Sequence, residues 1–262
     1  LVLQAHTWDG QLYMEMSHLL PYNRRTILQQ KKILFYKFMI SYSSIKYTKY
    51  YFNLVLKNWF STKMSYSQHG EDILVEKIIK RGEINSFLDI GANDGVLFSN
   101  SYKFAKKGAR GLCIEPSRLS YRKLFFNHLI HKKVKCLNSA ISEKDGLLYL
   151  QEAGYEQILS KVTTKKSVGY SPVKAFSLKS IFERFPEFSN VDLISIDVEG
   201  HENQILRGLG NKPIDAKIII LEIDKANVTE TLKFKSLSYH TAKYTNDVNL
   251  ILLHKKFSFN NP

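Results

Sequence analysis

The stretch Phe87-Leu88-Asp89-Ile90-Gly91-Ala92-Asn93-Asp94-Gly95 decides how this chain is read. A short apolar run ends in an acid and enters a Gly-x-Asn-Asp-Gly turn, the pattern of a strand that hands a ligand to a backbone loop. Glycines there let the main chain turn tightly and approach a ligand closely. Two nucleotide loops do not match. The dinucleotide fingerprint needs glycines at 91, 93 and 96, where the chain has Gly91, Asn93 and Val96, so a dehydrogenase is disfavoured. No Gly-Lys-Ser/Thr follows, so the turn is not a phosphate-gripping P-loop.

Outward from this turn, helix and strand signals alternate from about residue 65, as in a parallel sheet covered on both faces. The spacing predicts a helix over 71–81 and strands at 86–90, 110–114, 133–137, 191–196 and 217–223. Helices are expected from the glycine turn to 107, over 117–130 and 178–185, and from 202 to 209. A β-hairpin turning at Asp145-Gly146 is expected over 140–151, then a polar loop over 152–172 and a short strand at 173–176. A helix near 229–236 and an antiparallel pair, 239–244 and 248–254, would close the sheet. Seven strands with a terminal hairpin suggest a class I methyltransferase sheet, Rossmann-like, mostly parallel and flanked by helices.

At 262 residues and 44% hydrophobic composition, the chain can hold one α/β domain with an appendage. Cys113 and Cys136 are too few for a disulfide framework, and no Cys/His spacing suggests zinc. They read as buried thiols of a cytoplasmic protein. The formal charge of +14 is unevenly placed: residues 1–65 carry +7, 66–224 carry +3 and 225–262 carry +4. A nearly balanced body argues against a groove for nucleic acid and points the excess at an anionic surface instead.

Residues 1–64 are expected to form a helical arm preceding a domain at 65–262. No motif is readable in residues 1–30. From 31 to 64, basic residues interleave with aromatic ones, and Lys37, Lys46, Lys49 and Lys57 interrupt every span of the ~20 apolar residues a transmembrane helix needs. Two readings stay open: an interfacial helix making peripheral contact with an anionic membrane surface, or a helical arm packed on the domain or a partner subunit.

In open α/β sheets ligands bind beyond the carboxyl ends of the strands. Asp89, Glu115, Asp197 and Glu222 all fall there. Glu115, 24 positions beyond Gly91, fits a carboxylate that accepts hydrogen bonds from two ribose hydroxyls.

The motifs Tyr66-Ser67-Gln68-His69-Gly70-Glu71-Asp72, Asp89 to Gly95, Phe98-Ser99-Asn100, Cys113-Ile114-Glu115-Pro116 and Ser195-Ile196-Asp197-Val198-Glu199-Gly200-His201-Glu202 occur in the order and spacing of a known family. Over residues 65–224 the chain resembles the FkbM-type S-adenosylmethionine-dependent methyltransferases. The resemblance implies a class I methyltransferase fold, S-adenosylmethionine as cofactor, and methyl transfer to a hydroxyl of a sugar, glycan or related natural product. It places Asp89, Gly91 and Asn93 at the methionine portion, Glu115 at the ribose, and Asn138 and Ser139 at the adenine edge.

A sugar hydroxyl is a poor acid, so a base or a metal is expected. Asp197, Glu199 and His201 are the candidate catalytic residues. A magnesium ion held by Asp197, Glu199 and Glu222 is an alternative, since oxygen ligands suit it. The rivals are an RNA methyltransferase and a non-catalytic, membrane-associated module. Against the first, Asp197 to Glu202 stands where amine-methylating enzymes often carry Asn/Asp-Pro-Pro-Tyr, and its acids would repel phosphates.

Overall fold

A computed structural model describes residues 4–8, 11–15, 45–79, 84–152, 160–223, 228–238, 240–245 and 248–257. The chain forms two compact units, Leu1–Thr48 and Lys49–Pro262. In the first, β1 (Gln4–Trp8) and β2 (Gln11–Glu15) pair as an antiparallel hairpin with Gln4 opposite Glu15. Of the arm expected over residues 1–64, helix α1 (Ile45–Trp59) is described, and residues 16–44 lie outside the described residues. From residue 49 onward α1 belongs to the second unit. The side chains explain why: Tyr51 stacks on Phe126 with ring centroids 4.6 Å apart, and Asn58 Nδ2 donates to Asn127 Oδ1 at 2.7 Å. Lys106 Nζ donates to the carbonyls of Trp59 at 3.0 Å and Asn58 at 3.4 Å, satisfying the helix C-terminus with a cation as the helix dipole favours.

The main sheet contains β3 (Ser86–Ile90), β4 (Arg110–Ile114), β5 (Val134–Leu137), β10 (Asn190–Ile196), β11 (Asp215–Glu222), β12 (His240–Thr245) and β13 (Asn249–His254). Its order is β12-β13-β11-β10-β3-β4-β5. Strands β5, β4, β3, β10 and β11 run parallel, and β13 is antiparallel to both β11 and β12, so the sheet is mixed at one edge only. The order reverses between β3 and β10, which opens a crevice at the carboxyl ends of both strands.

Alternation along each strand sorts the core to two faces. Leu88, Ile90, Leu112, Ile114, Ile194 and Ile196 pack under α5 (Leu178–Arg184) and α6 (Glu202–Arg207). Phe87, Cys113, Leu193, Ile218 and Ile220 pack under α2 (Glu71–Ile78), α3 (Tyr102–Lys106) and α4 (Arg118–Asn127). The helix expected to run from the glycine turn is only the short α3, because residues 95–101 are held as a loop by side-chain bonds described below. Strand β3 is pinned at its start by Asp192, whose Oδ2 accepts from the backbone N–H groups of Asn85 at 2.7 Å and Ser86 at 3.0 Å.

Residues 140–177 depart from the expected hairpin. A second, four-stranded sheet forms with order β6-β9-β7-β8, from β6 (Ala140–Ser142), β7 (Gly146–Gln151), β8 (Lys161–Thr163) and β9 (Ser171–Ser177). Strand β9 sits between β6 and β7, parallel to the first and antiparallel to the second. Asp145 accordingly does not turn a hairpin; its Oδ1 accepts from Ser177 N at 2.7 Å and ties the turn to the end of β9. The expected 152–172 loop thus contains β8 and the start of β9, while residues 153–159 lie outside the described residues. The expected helix near 229–236 is one turn, α7 (Val228–Thr231), followed by a 3-10 turn at Lys235–Leu237. No helix among the described residues is long and apolar enough to cross a membrane.

Candidate active site

The glycine turn lies at the reversal of strand order. Gly91 has φ +83°, open to glycine and strained for any other residue, and its N–H donates to Ile114 O at 3.0 Å. The backbone after β10 crosses directly over it: a β-carbon at position 91 would lie 1.7 Å from the carbonyl oxygen of Asp197. Asn93 follows at φ +46° and Gly95 at φ +76°. Asp94 Oδ1 accepts from the N–H groups of Val96 at 2.8 Å and Leu97 at 2.7 Å, a local Asx arrangement that competes with helix formation.

Behind the turn is a buried polar network. Ser101 Oγ donates to Asp89 Oδ2 at 2.5 Å, and Asn100 Nδ2 donates to Ser195 Oγ at 3.1 Å. Burial pushes the Asp89 carboxyl up to about 6, opposed by hydrogen bonds from Ser101 and Ser195. Phe98-Ser99-Asn100 therefore has a structural meaning that its sequence alone leaves open: it returns the loop to the end of β10.

The segment Tyr66 to Asp72 is organised by its own acids. Asp72, fully buried, accepts from Ser65 Oγ at 2.6 Å, Tyr66 N at 2.9 Å and Ser67 Oγ at 2.9 Å. Glu71 accepts from His69 N at 3.0 Å and from Asn249 Nδ2 at 2.7 Å, fastening the start of α2 to β13. The fixed loop pairs Ser67 with Phe98 in an isolated bridge and puts Gln68 at the cleft wall.

Glu115, at the end of β4, accepts from Asn93 N through Oε2 at 2.9 Å and from Ser117 N through Oε1 at 2.7 Å. Each oxygen keeps a second lone pair, which is what a vicinal diol needs. Burial raises this carboxyl to about 7 despite the two backbone donors. Ser139 Oγ and Glu222 Oε2 are buried with no hydrogen-bond partner in the protein, and both residues line the cleft. Orphaned polar atoms of this kind are usually answered by a ligand or water. With Ile114, Pro116, Ala140 and Ile141 on the same wall, the donors and surfaces fit a ribose and a flat heterocycle, hence S-adenosylmethionine.

Across the cleft, at the ends of β10 and β11, Asp197, Glu199 and Glu222 offer oxygens within 4.8 Å of one another. Burial, then a hydrogen bond with Glu222, holds the Asp197 carboxyl well above the usual range. Glu199 is raised to about 7 by burial and by the charge of Glu222. Its turn is tight, with Glu199 at φ +56° and Gly200 at φ +93°, and is held by Glu202 Oε1, which accepts from Gly200 N at 3.1 Å and Val198 N at 3.3 Å.

One cleft thus brings together Asp89, Gly91, Asn93, Glu115, Ser139, Asp197 and Glu199. Two of the residues expected at the site are not among its lining. Asn138 turns its Nδ2 onto the carbonyls of Glu115 at 2.8 Å and Pro116 at 3.0 Å. His201 sits at the N-terminus of α6 with Nε2 2.9 Å from Ser142 Oγ, and burial lowers its pKa. Val162 of β8 and Ser160 just before that strand complete the wall; the sequence signals a polar loop there but not a strand. Asn100 and Ser195 fall within motifs legible in the sequence, but their bond to each other and the bond of Ser101 to Asp89 emerge only from the fold.

A sheet of this order, with a glycine turn at its switch point and a buried carboxylate at the end of the next strand, defines a class I S-adenosylmethionine-dependent methyltransferase. The family model for the methyltransferase FkbM domain matches residues 89–259, and the chain belongs to that family. No curated protein sequence matches the chain. Among solved structures, the chain is similar to a precorrin-6y C5,15-methyltransferase from Geobacter metallireducens GS-15, at 12% identity over 74% of this chain and 91% of that one, with a TM-score of 0.42. It is also similar to TrmK of M. capricolum in complex with S-adenosylhomocysteine, at 11% identity over 74% of this chain and 71% of that one (TM-score 0.40). The fibrillarin pre-rRNA processing protein of Methanococcus jannaschii gives 11% identity over 72% and 75%, with a TM-score of 0.41.

Proposed function

We propose that this methyltransferase acts on a hydroxyl of a sugar, glycan or related natural product. The observation that carries the reading is the cluster of Asp197, Glu199 and Glu222 facing the Gly91 turn across one cleft. Such a mouth can accept a proton from a weak acid and repels phosphodiesters, which speaks against RNA.

S-adenosylmethionine supplies a methyl already activated on its sulfonium. In this reading Asp89, Gly91 and Asn93 hold the methionine end, Glu115 accepts from the ribose diol, and Ser139 meets the adenine edge, with Asn138 bracing the backbone behind Glu115. Asp197 and Glu222, side by side at the ends of β10 and β11, orient the acceptor hydroxyl. Glu199 takes the hydroxyl proton as the oxygen–carbon bond forms and the carbon–sulfur bond breaks. A carboxyl titrating near neutrality suits that task, because it is ionised at working pH yet basic enough to accept. His201 braces the turn through Ser142 and does not touch the reacting atoms.

The test is a mass-shift screen with methyl-labelled S-adenosylmethionine against free sugars, nucleotide sugars, glycans and RNA transcripts. Label appearing as an ether on a sugar oxygen supports the reading. Label on an RNA base, with no sugar acceptor accepted, overturns it.

A further inference from the structure

We propose that the outward face of α1 and the turn after it form a docking surface for an anionic lipid bilayer. The helix is two-sided. Tyr51 and Asn58, seven residues apart, meet α4 through Phe126 and Asn127. Phe52 and Trp59, also seven apart, stand 62% and 50% exposed, and Phe60 and Met64 beyond them are 73% and 81% exposed. Trp59 and Phe60 stack with ring centroids 5.6 Å apart, forming a ledge of indole and phenyl. Scattered exposed apolar residues are ordinary, whereas a contiguous cluster marks an interaction surface. Of eleven large apolar side chains exposed among the described residues, five fall between Tyr50 and Met64, so this surface is concentrated well above the rest.

Charge identifies the occupant. From residue 16 to residue 70 the sequence has nine Lys and Arg and no Asp or Glu, and Lys57 and Lys63 are exposed within the aromatic cluster. A headgroup layer takes both features at once: rings settle at the acyl boundary while ammonium groups meet lipid phosphates. A second copy of the chain fits less well, because a two-fold contact would set these lysines against their own mates with no acid in the segment to pair them. The exposed rings beside lysines on α1 suit contact with the bilayer surface.

The experiment is flotation of the full chain with phosphatidylcholine vesicles, with and without phosphatidylserine. It is paired with fluorescence of a Trp8→Phe variant, in which Trp59 is the only indole. The chain is expected to float with phosphatidylserine vesicles and not with phosphatidylcholine alone, and Trp59 emission to shift to the blue on mixing. Trp59→Ala/Phe60→Ala should lower the bound fraction about tenfold or more, and Lys57→Glu/Lys63→Glu at least as much. Melting temperatures should stay unchanged, since all four side chains are exposed. Flotation that survives the aromatic variant, or no flotation at all, overturns the proposal. So does emission that is already blue and indifferent to vesicles, which would mean that protein covers the face. A dimer on size exclusion that Trp59→Ala/Phe60→Ala separates would identify a second copy as the occupant instead.

Discussion

The carbonyl oxygen of Asp197 occupies the space that a side chain at Gly91 would need, 1.7 Å from where its β-carbon would stand. The glycine turn and the acidic turn, about a hundred residues apart in sequence, are thereby packed against each other. Gly91→Ala should lower stability by about 2 kcal/mol or more, through both the positive φ and the collision. It should also weaken S-adenosylmethionine binding at least about tenfold, because relief requires the two turns to part. Thermal melts and calorimetry read the two effects; a variant with wild-type values in both would show that the turns are not coupled.

Glu115 yields a prediction with a sign. Its folded pKa, about 7, lies above the ordinary glutamate value because of burial. The native state therefore holds this proton where the unfolded chain has lost it, and the stability it contributes is full at low pH and declines as pH rises through about 7. Binding a diol favours the ionised carboxylate, so cofactor affinity should rise over the same interval. Glu115→Ala should flatten that rise and cost about 10- to 100-fold in affinity. A pH-independent affinity in the unmodified protein would remove Glu115 from the ribose site.

Asp72 makes a purely structural prediction. It is a fully buried carboxylate that accepts from two hydroxyls and a backbone N–H of the 65–67 loop. Asp72→Ala leaves those donors unanswered and should cost about 3 kcal/mol, measured by denaturant unfolding. A loss under about 1 kcal/mol would mean that the loop repacks or hydrates freely.

His201→Ala separates bracing from catalysis. With its imidazole on Ser142 and not among the cleft lining, the variant should keep turnover within about threefold while the melting temperature falls modestly. Loss of turnover at unchanged stability would restore His201 as a base.

The sheet was legible because its strands alternate cleanly between two buried faces. Ser86–Ile90 and Arg110–Ile114 match the expected strands residue for residue. The second sheet was not, since the insertion of β9 between β6 and β7 depends on a contact 32 residues away, Asp145 to Ser177, which no local turn signal carries. At the site, acids at strand ends were readable by position. Side-chain direction was not: His201 and Glu199 are two residues apart on one tight turn, and the φ +56° at Glu199 separates their surroundings. The contacts of Asn138 were likewise not legible, since its amide nitrogen donates to the carbonyls of Glu115 and Pro116, which sequence does not locate.

Glu199 is the group proposed to take the acceptor proton. Its carboxyl, raised to about 7 by burial and by Glu222, must be ionised to act, so turnover at saturating S-adenosylmethionine should rise with pH and level off above about 7. The decisive measurement is that pH profile for the unmodified chain and for Glu199→Gln, on whichever sugar acceptor the screen identifies. Turnover should be at least about a hundredfold lower in the variant, with no rise through neutrality and an unchanged cofactor dissociation constant. A variant that keeps both the rate and the pH profile of the unmodified enzyme would contradict that role.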